Sequence, residues 1–286
     1  MLLQNRESLH VASNLPDALA ALHDLGPEGA PIAGATWIMR APIRQEGFAK
    51  AYVALTRIPD LRQCDINAED IVIGACVTHD ELAHALAGLA DLKVLADAAA
   101  RSANPAIRRV ATVGGNLCSF DFAAADLVCA LLCLDATVEL RSRQGSDRMS
   151  IEQFLEQRLT IEPGTLIARV IVRRRPRRSA HVRLPLRKAG DYPVAIVSMA
   201  ITSGCGDAAE TVSIAVGSVE RQARRWARLE ADVTGKTLSA ERIGELAEAY
   251  AGDFTGRDDI DAPGWYRVKV LPSLVRRAAR ELTGLG

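Results

Sequence analysis

Two short turns built almost entirely of small residues constrain this chain more than any other feature of its sequence. They are residues 32–36 (IAGAT) and residues 111–116 (ATVGGN), and each follows an apolar segment. Small residues let a backbone approach a ligand closely, and successive N–H groups in such turns form a concave anion site. Neither turn matches G-x-G-x-x-G or G-x-x-x-x-G-K-[ST], so the Rossmann and P-loop folds are not indicated. On these residues alone, the chain is an anion-binding α+β protein or a protein with two ordinary glycine loops.

The composition predicts a folded protein that does not bind nucleic acid. Hydrophobic residues make up 49% of the 286 residues, which is enough for a well-buried core. Lys+Arg and Asp+Glu balance at 35 each, whereas a nucleic-acid binder normally carries a net basic face. No run of eighteen apolar residues occurs, and Arg6 and Glu7 interrupt the first residues. We therefore expect neither a membrane span nor a signal peptide, and a cytoplasmic location.

The cysteines predict buried reduced thiols rather than a metal site. Of the six, only Cys129 and Cys133 are close in sequence, in an apolar run where a helix would place both on one face. A metal site needs more ligands than one such pair, and no second pair or nearby histidine completes it. We therefore expect this chain to carry no metal and no iron–sulfur cluster of its own.

The order of apolar segments predicts an α+β fold. We expect a strand that runs into a tight turn at residues 31–36, strands at residues 51–55, 71–75, 167–172, 192–201 and 211–219, and helices at residues 16–25, 78–89, 92–102, 151–158, 239–250 and 272–282. Asn14 is a candidate N-cap, and Thr78 with Glu81 and Ser150 with Gln153 are candidate capping boxes. Strands followed by helices in the second half indicate a sheet covered by helices.

A basic, proline-broken segment separates the two halves. Residues 173–178 read RRRPRR, without aromatic neighbours or a wider basic surface. We interpret this segment as a solvated linker rather than a nucleic-acid patch, with a docking surface for a partner subunit as an alternative.

A longer string around the second turn resembles a known family. Residues 104–116 (NPAIRRVATVGGN), then Asp126 and residues 130–136 (ALLCLDA), closely resemble the FAD-binding subunit of the xanthine dehydrogenase/carbon monoxide dehydrogenase family. The first turn, the strand at residues 166–172, residues 187–192 (RKAGDY) and residues 265–267 (WYR) match weaker pieces of the family pattern in the same order. The resemblance extends over nearly the whole chain.

The resemblance implies a domain organisation and a set of cofactor-binding residues. It implies an FAD-binding domain at residues 1–176, with vanillyl-alcohol-oxidase-like subdomains at about 1–57 and 58–176, and a C-terminal α+β domain at residues 177–286, an antiparallel sheet with helices. The backbones of the two turns would hold the pyrophosphate, and Asp126, on the polar side of its helix, would accept hydrogen bonds from the ribose or adenine. Lys188 and Tyr192 would lie beside the flavin ring and tune it, and no residue is assigned as catalytic with certainty. The residues that the resemblance places at the cofactor are Ala33, Gly34, Ala35, Thr36, Trp37, Thr112, Val113, Gly114, Gly115, Asn116, Asp126, Leu166, Lys188 and Tyr192.

Three residues depart from the family pattern. Ala35 stands where the family has a second glycine, Trp37 replaces a polar residue, and Cys129 replaces a proline. An alanine with positive φ would cost about 1 kcal/mol or more.

The resemblance also implies a function within a complex. A large molybdopterin subunit would hydroxylate the substrate, and a small subunit with [2Fe–2S] clusters would pass electrons to non-covalent FAD in this chain. FAD would then reduce an external acceptor, in an assembly that we expect to be a dimer of heterotrimers. Two alternatives stay open: a flavin-free assembly subunit, which the departures at Ala35 and Trp37 motivate, and a free-standing FAD oxidoreductase.

Overall fold

The fold is organised around three β-sheets. A computed structural model describes residues 8–186, 192–203 and 209–283. Within those residues the first sheet is parallel and has the order β1-β3-β2, and the other two are antiparallel, with the orders β4-β5-β8-β6-β7 and β12-β11-β10-β9. The strands are β1 Ser8–Val11, β2 Gly29–Ile32, β3 Ala51–Ala54, β4 Cys64–Ile66, β5 Asp70–Gly74, β6 Thr137–Ser142, β7 Gly145–Ser150, β8 Leu166–Arg173, β9 Arg178–Pro185, β10 Pro193–Ser203, β11 Ala209–Gly217 and β12 Arg224–Arg225.

Helices cover these sheets and confirm the α+β prediction. The α-helices are α1 Leu15–Leu25, α2 His79–Ala85, α3 Lys93–Arg101, α4 Pro105–Arg108, α5 Val113–Cys118, α6 Asp126–Cys133, α7 Ile151–Gln157, α8 Ala227–Val233, α9 Ala240–Ala249, α10 Gly264–Lys269 and α11 Leu271–Thr283. Short 3₁₀ helices lie at Gly26–Glu28, Ile38–Arg44, Pro59–Leu61, Ala90–Leu92 and Ala251–Asp253. In the part of the chain that is described, no helix combines the length and the apolar character needed to cross a membrane.

Local capping signals placed several helix starts correctly. The Asn14 side chain accepts a hydrogen bond from the backbone of Asp17 and caps α1. Both capping boxes form, with Thr78 at the start of α2 and Ser150 at the start of α7. The prediction that the helix from residue 78 runs to residue 89 is wrong, because α2 ends at Ala85 and Gly88 adopts a φ of +83°.

Each sheet has its own apolar core, and α6 lies where two of the cores meet. The first sheet packs on α1, the second on α2 and α6, and the third on α8, α9 and α11, while α3 contacts β9 and β10 of the third sheet. Helix α6 also contacts β10 and β11 of the third sheet. All eight residues of α6 are buried, including the free thiols of Cys129 and Cys133, as predicted for those two residues.

The basic segment is only partly a solvated linker. Arg174 makes a bidentate ion pair with Asp91, at 2.9 and 3.1 Å, and Arg178 donates to the carbonyl of Leu282 near the end of α11. Arg173 and Arg175 are exposed. The prediction of a solvated face is therefore wrong for Arg174, whose charge fixes the end of β8 to the chain near α3. The predicted division after residue 176 falls between β8 and β9.

Candidate cofactor site

The first turn presents a row of free backbone donors. Strand β2 ends at Ile32 and runs into the turn at residues 33–37, as the prediction of a strand followed by a tight turn at residues 31–36 expected. The backbone N–H groups of residues 33–37 donate to no residue that the structure describes. Ala35 has a φ of +58°, the left-handed conformation, and its carbonyl accepts from the N–H of Met39 at 2.9 Å. A left-handed residue among successive free N–H groups is the arrangement that forms concave anion sites.

The structure brings the two turns into contact. A Cβ added to Gly34 would lie 1.8 Å from the carbonyl oxygen of Val110, which immediately precedes the second turn. Only glycine permits this approach, because Cβ atoms essentially never come within 3.0 Å of a backbone atom. The absence of a side chain at Gly34 is therefore explained by packing between the turns.

The second turn offers fewer free backbone donors than the first: among residues 112–116, the N–H of Thr112 alone donates to no described residue. Thr112 caps α5, and the N–H groups of residues 113–116 all donate within the protein: to the carbonyls of Val77 and Ala75, to the hydroxyl of Thr112 and to the carbonyl of Thr112, respectively. A Cβ on Gly114 would lie 2.9 Å from that of Ala75, so packing requires that glycine. A Cβ on Gly115 would lie 2.9 Å from the Thr112 hydroxyl and would meet no other described atom within 4 Å outside its own helix backbone. The Asn116 Oδ1 atom is buried without a described partner.

An aromatic and cationic cluster lies beside the first turn. Trp37 packs on Phe122 with ring centroids 4.9 Å apart, and Phe122 packs edge-on against Tyr192 at 5.1 Å. The Arg44 guanidinium lies 4.1 Å from the Trp37 ring centroid, and Arg40 donates to the Tyr192 hydroxyl. Burial raises the pKa of Tyr192. Of these five residues the sequence singled out Trp37 and Tyr192, which the structure brings together through Phe122.

Asp126 is the first residue of α6 and is 1% exposed. The expectation that it lies on a polar side of its helix is therefore wrong, since every residue of α6 is buried. Its Oδ1 accepts from His181 Nε2 at 3.0 Å and lies 3.1 Å from Arg183 Nε. Its Oδ2 is buried and has no partner among the described residues. One oxygen of the carboxylate is held by the protein and the other is left for a donor.

The buried hydrogen bonds continue from Asp126 to Ser198. His181 Nδ1 lies 2.8 Å from the hydroxyl of Ser198. A hydroxyl, an imidazole and a carboxylate in this order are typical of serine hydrolases. His181 and Ser198 are both 0% exposed, so this row of groups lies inside the protein between α6 and the third sheet.

His79 is a second buried histidine near the second turn. Its backbone N–H donates to the carbonyl of Ala111, and Nδ1 of its ring lies 2.7 Å from the Ser102 hydroxyl. Burial lowers the pKa of His79 to about 4, so the imidazole is neutral at pH 7. Its Nε2 is buried with no partner in the described ranges. No pattern in the sequence distinguished His79 from an ordinary helix residue.

Two predicted residues are not placed with the polar groups of the site. Leu166 begins β8 and is buried in the same apolar cluster as Ala33, below the first turn. Lys188 lies outside the described residues.

These features fit an FAD-sized ligand. The free N–H groups of residues 33–37 match an anionic group, and the aromatic cluster offers flat apolar surface. The unpartnered oxygens of Asn116 and Asp126 would each cost free energy if nothing bonded to them. A ligand that carries a pyrophosphate and a ring system would match the first turn and the aromatic cluster beside it.

Comparison with protein families gives two matches that together span most of the chain. The model for the FAD binding domain in molybdopterin dehydrogenase matches residues 5–174. The model for the CO dehydrogenase flavoprotein C-terminal domain matches residues 180–282.

Individual relatives align over nearly their full length. The 6-hydroxypseudooxynicotine dehydrogenase complex subunit alpha of Paenarthrobacter nicotinovorans is 30% identical, with 93% of this chain and 91% of the relative covered. The carbon monoxide dehydrogenase medium chain of Afipia carboxidovorans is 29% identical, with 94% of each chain covered. Among solved structures, reconstituted CO dehydrogenase from Oligotropha carboxidovorans contains a chain that superposes with a TM-score of 0.88, at 26% identity and 100% coverage of both chains.

Proposed function

This chain belongs to the FAD-binding subunits of the molybdopterin dehydrogenase family and is an oxidoreductase subunit, and on that premise we propose that it carries electrons out of a larger complex through FAD. Electrons would arrive from [2Fe–2S] clusters in a small partner subunit and leave to an external acceptor. FAD supplies a group that accepts and releases either one or two electrons. The observation that carries the proposal is the first turn. Its five backbone N–H groups donate to no residue in the described ranges, its Gly34 contacts Val110 next to the second turn, and the aromatic cluster lies beside it.

We assign the pyrophosphate to the first turn. Its free N–H groups would donate to phosphate oxygens, at the usual N···O distance of about 2.9 Å. The second turn would form one side of the site, with the backbone of its glycines and the side chain of Asn116. Packing of Gly34 against Val110 would hold the two turns at a fixed separation.

The remaining assignments concern the rest of the cofactor. The unpartnered oxygen of Asp126 would accept from a ribose or adenine donor. Trp37 and Tyr192 would lie against the flavin ring, and Phe122, which packs on both of them, would hold them together. Lys188 would place a positive charge near the ring, and Leu166 would contribute apolar surface.

The proposed partners are a large molybdopterin-binding subunit and a small [2Fe–2S] subunit, in a dimer of heterotrimers in the cytoplasm. Support comes from the relatives, which are named a dehydrogenase complex subunit and a carbon monoxide dehydrogenase medium chain. The division of this chain into domains at residues 1–176 and 177–286 is part of the same proposal.

Ala35 does not favour the alternative of a flavin-free assembly subunit. It already holds the left-handed conformation that a glycine would adopt without strain, so the turn keeps its shape at a cost of about 1 kcal/mol. We therefore retain the flavin-binding function as the proposal.

The test is electron transfer in the assembled complex. The chain would be co-expressed with its partner subunits, purified and mixed anaerobically with the reducing substrate of the complex, while flavin absorbance is followed. The flavin should bleach only when the [2Fe–2S] subunit is present, and the external acceptor should restore its absorbance. A complex that turns over at the normal rate when this chain contains no flavin would contradict the proposal.

A further inference from the structure

A buried chain of hydrogen bonds joins α6 to the third sheet. Asp126 Oδ1 accepts from His181 Nε2 at 3.0 Å, and His181 Nδ1 lies 2.8 Å from Ser198 Oγ. None of the three residues is more than 1% exposed. Asp126 lies within the range of the FAD-binding family model, whereas His181 and Ser198 lie within that of the C-terminal domain.

The hydrogen-bonding partners of His181 suit one tautomer of the neutral imidazole. An ionised carboxylate only accepts, so Nε2 must carry the proton that it donates to Asp126. In the neutral imidazole Nδ1 is then an acceptor, and the Ser198 hydroxyl donates to it. His181 and Ser198 are directly opposite each other in the pairing of β9 with β10, so the backbone register sets their distance.

A guanidinium on the same strand lies near the same oxygen. Arg183 follows His181 by two residues on β9, which places both side chains on one face of the sheet. Its Nε lies 3.1 Å from Asp126 Oδ1. His181 therefore makes the hydrogen bond to Oδ1, and Arg183 adds a nearby positive charge without a hydrogen bond of good geometry, while Oδ2 has no partner among the described residues.

We propose that His181 is a positioning residue for the cofactor: it orients the Asp126 carboxylate so that the free oxygen faces the ligand. This inference rests on the proposed FAD-binding function. It makes the third sheet part of the cofactor site, because the orientation of Asp126 depends on the register between β9 and β10. A carboxylate with one oxygen buried and unpartnered is costly in a purely structural network, whereas a ligand donor completes it.

The test measures FAD affinity of the full chain for a small set of variants. His181→Leu removes the donor to Asp126, and His181→Gln keeps an N–H at a similar reach. His84→Leu is the matched control, since the His84 side chain is 79% exposed and does not contact Asp126. Each protein would be checked for folding by far-UV circular dichroism, freed of cofactor and titrated with FAD.

Positioning predicts a specific pattern of affinities. His181→Leu should weaken FAD binding by roughly 10-fold or more, by analogy with metal sites, where loss of an orienting hydrogen bond to a ligating residue costs about 10- to 100-fold in affinity. His181→Gln should recover most of the affinity, and His84→Leu should match the wild type. In an Asp126→Asn background, His181→Leu should have little further effect, because coupled residues are not additive.

Three results separate the possible failures. A wild-type chain that binds no FAD would overturn the proposed function itself. A folded His181→Leu variant with wild-type affinity, or with an effect that simply adds to that of Asp126→Asn, would overturn only the positioning role. If His181→Leu does not fold, Ser198→Ala decides: it should weaken FAD binding severalfold because Nδ1 loses its donor, and unchanged affinity would refute the proposal.

Discussion

The contact between the two turns gives the sharpest prediction, which concerns Gly34→Ala. The added Cβ would lie 1.8 Å from the carbonyl oxygen of Val110, whereas real Cβ atoms essentially never come closer than 3.0 Å. The neighbouring atom is backbone, so it cannot turn aside as a flexible side chain would. The two turns must therefore separate by at least about 1.2 Å. Displacements of about 1 Å in a preorganised site cost about 100-fold in the analogous case of catalysis, and we expect a similar loss of FAD affinity.

The assay for Gly34→Ala is the FAD content of the purified chain, followed by titration of the cofactor-free protein with FAD. Gly252→Ala is the matched control, because a Cβ at that exposed position has no atom within 4 Å. Both substitutions are the same chemical change, so a difference between them reports on the position. Far-UV circular dichroism would show whether the sheets are retained.

Gly34→Ala with wild-type FAD content and affinity would refute the reasoning. That result would mean that the turns can separate without loss of the cofactor, and that their contact does not define the site. Equal losses in Gly34→Ala and Gly252→Ala would instead point to a general sensitivity to glycine replacement.

Four further predictions follow from the same features. Ala35→Gly should raise the free energy of unfolding, measured by denaturant titration, by up to about 1 kcal/mol. The reason is that the left-handed strain that glycine removes costs more free energy than the extra conformational entropy that glycine gives the unfolded chain. Lower stability would contradict this. Acid precipitation should release the cofactor as FAD, and FMN in the supernatant or colour in the pellet would refute non-covalent FAD. Burial lowers the pKa of His79 from 6.5 to about 4, so its contribution to the free energy of unfolding is fully present above pH 6.5 and is lost as the pH falls to 4. His79→Gln should therefore reduce the loss of stability between pH 6.5 and pH 4 by up to about 3 kcal/mol. An unchanged dependence of stability on pH would exclude the effect. Lys188→Met should lower the two-electron potential of the flavin by roughly 30 mV, equivalent to about 1.4 kcal/mol, and should leave the FAD content unchanged. An unchanged potential, or loss of FAD, would exclude a tuning role for Lys188.

Local signals in the sequence determined the helix starts and the conformation of the turns. Asn14, Thr78 and Ser150 were predictable as caps because each interacts with a backbone group three residues away. Ala35 could be marked as a position of strain because the family pattern has glycine there, and its φ is indeed positive. The string at residues 104–116 was enough to indicate the family, and the family implied FAD.

The partners of the site residues were decided only by the tertiary structure. His181 lies 55 residues beyond Asp126 in the chain and meets it because α6 packs on the third sheet, a contact that no local pattern encodes. The same packing buries Asp126, which the sequence alone placed on a polar side. Phe122 lies between Trp37 and Tyr192 for a similar reason, since segments far apart in sequence meet there. Capping depends on neighbours within one helical turn and can be read from the sequence, whereas burial and hydrogen-bond partners depend on how helices and sheets pack.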